Sequence, residues 1–229
     1  TVNSERLRQA ERWFLNRYPG GFSDPEIQAI VKKHKVDQMI TFTQTCFASK
    51  NFRDTLDIID NMIKIIGRSS MVSVFEKPRF RDFANSLTPK EKNQLVAGLK
   101  AQLHGDERGG FEKILDLLLM YKLAKWSLIS IIPVYFRPQR EIFVKPTTTK
   151  GVIAHFELKS LQYRPQPSWA FYAEYRDILN EMKTKVDPSL SPNSAAFTGL
   201  PAPLKQQVFA ELRAALNPAK ANPASAHLP

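Results

Sequence analysis

The sequence predicts an all-α protein, a multi-helix globular bundle, on three observations. Apolar residues recur at three- and four-residue spacing through most of the first 187 positions, as one buried helix face requires. Capping residues precede these runs, and Gly or Pro follows them. No fixed-period repeat marks a solenoid.

The elements follow in order. Residues 3–18 put Leu7, Ala10, Phe14 and Leu15 on one stripe with Trp13 and Tyr18 beside it, and the Pro-Gly-Gly at 19–21 ends the run. Ser23-Asp24-Pro25-Glu26 reads as a capping box with an early-turn proline. The helix it opens buries Ile27, Ile30, Val31, Met39 and Ile40, and a break is expected near Ala48–Asn51. Leu56, Ile59, Met62, Ile63 and Ile66 define the next helix, expected to close at Gly67 with Arg68 just beyond.

Lys77-Pro78 opens a short helix carrying Phe80 and Phe83. Thr88-Pro89-Lys90-Glu91 is a second capping box, and its helix runs on Leu95, Val96, Leu99 and Leu103 to Gly105. Asp106 to Gly110 reads as a turn, before the most apolar helix, with Phe111, Ile114, Leu115, Leu118 and Leu119. An irregular segment rich in Pro and aromatics spans about 133–165. Pro133 is expected to kink or end the helix that starts near Trp126. Over 151–163, Val152, Ala154, Phe156 and Leu158 alternate as in a strand, yet Thr148 can cap a helix over the same residues; helix is the preferred reading. Ser168 caps a final helix with Phe171, Tyr175, Ile178, Leu179 and Met182 in register.

The domain organisation is a helical body over 1–187 and a Pro/Ala-rich tail over 188–229, which holds seven of the sixteen prolines. Within the tail Leu204, Val208, Leu212 and Leu216 recur every fourth residue with Phe209 alongside, predicting a tethered amphipathic helix at about 203–217. Such a helix docks on its own body, or on a second copy or another protein.

Composition bounds the function. The chain of 229 residues, 43% of them apolar, can bury a sizeable core without staples. Its single cysteine, Cys46, excludes an intrachain disulfide and any all-thiolate zinc site. The charge-dotted first residues lack a secretory apolar core, and the best apolar run, Leu128–Phe136, is about half of what a bilayer needs. A soluble, cytoplasmic protein without a membrane span is the expectation. The net charge of +11 favours polyanionic partners, nucleic acid foremost.

Catalytic motifs are sparse. His34, His104, His155 and His227 lie far apart, without a metal-binding spacing, and neither a Gly-rich phosphate loop nor a Gly-x-Ser-x-Gly elbow is present. Glu157-Leu158-Lys159 matches the Glu-x-Lys of metal-dependent nucleases, in which acids hold Mg²⁺ and the Lys steadies the phosphate. Glu181-Met182-Lys183 matches equally on a helix, so the triplet has no weight by itself, and a nuclease ranks third. No cofactor or metal is expected.

The basic, aromatic stretch from Tyr121 to Pro165 carries the preferred reading. Eight cations, among them Arg137, Arg140, Lys145 and Lys150, face only Glu141 and Glu157, which is +6 of the total +11. Lys77, Arg79 and Arg81 form a second patch, and Lys32-Lys33-His34-Lys35 a third run. A helix-turn-helix over 24–47 would bring this third run to phosphates, but its turn lacks the usual glycine. Trp126, Tyr135 and Phe136 are expected in the core, whereas Phe143 and Tyr163, flanked by prolines and charges, are candidates to stack on bases. Cations release counterions from a phosphate backbone and bind it without sequence preference. The leading expectation is therefore a non-catalytic or accessory protein that binds DNA or RNA phosphates through a basic face. The alternative is a helical interaction or oligomerisation protein acting through Leu204, Val208, Phe209, Leu212 and Leu216.

Overall fold

A computed structural model describes residues 3–186, and over them the chain is helical without a strand. The predicted tail helix lies outside the described residues. Ten α-helices are present among those described: α1 (Ser4–Arg17), α2 (Pro25–Lys33), α3 (Val36–Cys46), α4 (Thr55–Arg68), α5 (Glu76–Ser86), α6 (Pro89–His104), α7 (Glu107–Met120), α8 (Trp126–Phe136), α9 (Pro146–His155) and α10 (Trp169–Thr184). None is long and apolar enough to cross a membrane.

α8 is the central helix. It packs against α3, α4, α6 and α7, and nine of its residues, from Trp126 to Tyr135, are buried. A helix surrounded on all sides must be apolar all round, which explains the run Leu128–Phe136 that is too short for a bilayer. Pro133 does not end it. Only one turn remains after the ring, and the Pro133 carbonyl still accepts Arg137 N–H at 2.9 Å, so the helix runs on to Phe136.

Capping chemistry sets most boundaries. Asn3 and Asp54 cap α1 and α4 with their side-chain oxygens, and the capping box at Thr88 and Glu91 forms in full. At α2 it is Asp24, not Ser23, that accepts the Glu26 N–H, at 3.1 Å. The long helix expected from residue 25 divides at His34–Lys35, where Lys35 adopts a left-handed φ of 50°. Gly67 lies inside α4, whose cap is Ser69. Asp106 to Gly110 is not a free turn: Asp106 accepts the Gly109 N–H, and both glycines belong to the first turn of α7. The reason is close packing, because α6 and α7 are the most tightly apposed helices of the fold.

The irregular segment is folded into the body. After α8 the chain turns back, and Ile142, Phe143 and Val144 are all buried in succession beside it. The buried Ser130 hydroxyl donates to Trp126 O at 2.7 Å and accepts Val144 N–H at 3.1 Å, pinning the returning strand of chain to α8. α9 begins at Pro146, a preorganised first position, and needs no Thr148 cap. It ends at His155, so residues 151–163 are a helix end followed by turns.

Candidate nucleic-acid interface

The first turn of α8 gathers two stretches that are far apart in sequence. The Ser127 hydroxyl donates to Glu76 Oε2 at the start of α5, and Ser130 holds Val144 just before α9. Ser127 and Ser130 are three residues apart and so share a helix face. Lys77 and Lys145 each follow one of these held residues by one position in sequence.

His34 links the third basic run to the same place. Its Nδ1 lies 2.7 Å from Ser70 Oγ, and burial, then the charges of Lys33 and Lys145, hold the imidazole below its ordinary pKa. Lys33 and Lys145, 112 positions apart in sequence, thus act on one ring. Lys32, Lys33, Lys35 and Lys145 are exposed. α4 supplies Arg68 two residues before Ser70, its guanidinium 5.3 Å above the Phe42 ring. From Ser70 the loop to Phe75 spans at most about 18 Å even fully extended. Neither α3 nor α9 has a side-chain N-cap. Two carboxylates also occur here, Asp37 in the first turn of α3 and Glu76, which is engaged with Ser127.

Beyond Phe75 the cations continue. Arg79 donates to the Lys122 carbonyl at 3.3 Å, which ties α5 to the α7–α8 connection, while Arg81 pairs with its neighbour Asp82 at 3.4 Å. Val74 and Phe75 stand at this edge as the most exposed large apolar side chains among the described residues, at 70% and 80%. Sequence patterning passed over them, although an apolar pair outside any amphipathic register was the signal available.

Other expected contacts are drawn away from this surface. Arg140 pairs with Glu107 and with Glu141, and Arg176 reaches both carboxylates at 3.2 and 3.0 Å. The Tyr172 hydroxyl donates to Glu141. Glu107 comes from the start of α7, so the carboxylate that compensates Arg140 is remote in sequence. Burial alone would raise the Glu107 pKa, but the hydrogen bond from Arg140 and the charges of Arg176 and Arg140 bring it below the ordinary carboxylate value. Arg137 lies over the Phe136 ring at 5.1 Å beside this cluster. The crevice among them has about 10 Å³ of room, the lower limit for one water.

Phe143 is 1% exposed, which rules out the stacking role expected of it. Tyr163 is half-buried, its ring edge-on to Phe171 at 6.1 Å, with the Lys150 ammonium 5.2 Å from its centre. The Glu157–Lys159 triplet lies in turns and not on a strand. Glu157, at φ 53°, accepts from Asn3 Nδ2 at 2.5 Å and lies 4.0 Å from Arg6, while Lys159 is exposed. Among the described residues no three His, Cys, Asp or Glu side chains are grouped to hold a metal ion.

Lys183 is buried beside the ion cluster, donating to Asn180 Oδ1 at 2.9 Å and Gln139 O at 3.3 Å. Burial lowers its pKa to about 8, against an attraction to Glu141 that raises it. The folded protein sheds this proton before the unfolded chain does, so stability rises as pH increases from about 8 towards the ordinary lysine value. The gain amounts to about 3 kcal/mol when complete. Urea unfolding at pH 7.5 and 9.5 should show most of this gain in the wild type and lose it in Lys183→Met; equal slopes in the two proteins would refute the assignment.

The chain matches no family model, no curated protein and no solved structure in comparisons with known proteins.

Proposed function

We propose that the protein binds the phosphate backbone of a nucleic acid, without catalysis, through the surface formed by Lys32, Lys33, Lys35, Lys145, Lys77 and Arg79. What supports this reading is that exposed Lys32, Lys33 and Lys35 flank His34, which lies against Ser70, while exposed Lys145 directly follows the Val144 that Ser130 holds to α8. The charges of Lys33 and Lys145 both act to lower the His34 pKa. Cations on one surface attract a polyanion, which binds by releasing its own counterions. Arg68 extends the surface along α4. Arg140 is not part of it, since its charge is paired with Glu107 and Glu141, and Arg137 lies over the Phe136 ring at the crevice that the same two carboxylates line.

The test is the salt dependence of binding. Each phosphate neutralised contributes about 0.7–0.9 to the slope of log K against log salt. Lys33→Gln, Lys77→Gln and Lys145→Gln combined should reduce the slope by about 2–3. Arg137→Gln should leave it unchanged. Salt-insensitive binding, or an equal effect of Arg137→Gln, would remove the proposal.

A further inference from the structure

We infer that the nucleic acid taken by this surface is single-stranded, with an unpaired base stacked on Phe75; the inference rests on the phosphate-binding reading above. Three observations favour it. First, Phe75 is presented on an ordered turn. Its N–H donates to Ser73 Oγ at 3.1 Å, the Ser73 carbonyl accepts from Glu76 and Lys77 at 3.0 and 3.2 Å, and Glu76 is held by Ser127. A backbone held in this way presents the ring to solvent without having to order the turn when a base settles on it.

Second, cations lie near the ring. Arg79 follows Phe75 by four residues, one helical turn along the same side, and Lys77 lies between them on the neighbouring face. Arg79 in turn holds the Lys122 carbonyl. On the other side the loop back to Ser70 leads to His34, Lys33 and Lys145. Glu76 is engaged with Ser127 and Asp82 with Arg81, while Asp37, in the first turn of α3, lies on the His34 side of the surface. Cations alternating with an exposed aromatic face match a strand whose phosphates and bare bases alternate.

Third, of the rings first expected to stack, Phe143 lies in the core and Tyr163 is half-buried, edge-on to Phe171 with the Lys150 ammonium over it, whereas Phe75 is 80% exposed. A duplex, whose bases are already stacked on one another, offers Phe75 no comparable face. Phe75 therefore sets the preference for unpaired substrate while the cations supply affinity to any phosphate backbone.

Fluorescence anisotropy on the full chain tests this with labelled oligothymidylate and a labelled mixed-sequence duplex, at about 50 and 200 mM salt. Phe75→Ala should weaken oligothymidylate binding by about 5- to 100-fold, with the salt slope unaltered and duplex binding within about twofold. Phe75→Trp should retain the single-strand affinity. Equal losses on both substrates, or no loss on either, overturn the inference and leave the phosphate-binding reading standing. No salt-dependent binding to either substrate overturns both readings. Binding only to anionic phospholipid vesicles, abolished by Phe75→Ala, assigns this edge to a membrane surface and likewise overturns both.

Discussion

Arg176→Met should lower the unfolding free energy by about 3–5 kcal/mol, the cost of breaking a buried ion pair. The side chain of Arg176 is only 9% exposed and that of Glu141 6%, so neither is stabilised by bulk water. The guanidinium bonds Glu107 from α7 and Glu141 from the returning segment, and it lies over the Trp169 and Tyr172 rings at 5.5 and 5.6 Å. Removing it leaves the Glu141 carboxylate in the core with Arg140 and the Tyr172 hydroxyl as its remaining partners. Much of the cost comes from that stranded charge. The double variant Glu141→Leu/Arg176→Met should therefore recover at least half of the loss, because apolar groups of similar volume often replace a buried pair without penalty. Urea unfolding of the four proteins gives the coupling directly. Additive losses would mean that the cluster is not an interacting unit.

That cluster also marks where the sequence stops being legible. Helices with clear apolar spacing and a cap, such as α4 and α6, stand where local chemistry puts them, because both signals act within a few residues. The fold class was readable for the same reason. The compensation of Arg140 was not: Glu107 is 33 positions away, and only the packing of α7 against the segment after α8 brings the two together. Phe143 likewise looked exposed from its charged and proline-rich neighbours. It is buried because the backbone beside it is hydrogen-bonded to Ser130. The meeting of Lys33 and Lys145 depends on the same tertiary constraint, so the basic runs were visible as composition but not as a surface. The break at Lys35 escaped detection because a lysine with positive φ carries no residue-type signal, unlike a glycine.

Gly110→Ala should destabilise the protein by about 3 kcal/mol, near the upper end of overpacking costs, even though alanine is the better helix former by about 1 kcal/mol. A Cβ at Gly110 would meet the Gln102 nitrogen in hard contact, with Gly98 O at 2.5 Å and Gln102 Cα at 2.8 Å. These are backbone atoms of α6, which cannot rotate aside as a side chain can. Relief requires the two most closely packed helices to separate, and Leu99, Leu103, Ile114 and Leu118 lose their mutual contact when they do. The comparison protein is Gly67→Ala. That glycine is also helical, but nothing lies within 4 Å of its added Cβ. There the propensity term acts alone, and stability should rise by about 0.5–1 kcal/mol. Opposite signs for one chemical change, read from urea midpoints at constant m-value, would locate the effect in the α6–α7 contact. If Gly110→Ala matched Gly67→Ala, the close approach of the two backbones, and with it the reason for a glycine pair inside a helix, would be wrong.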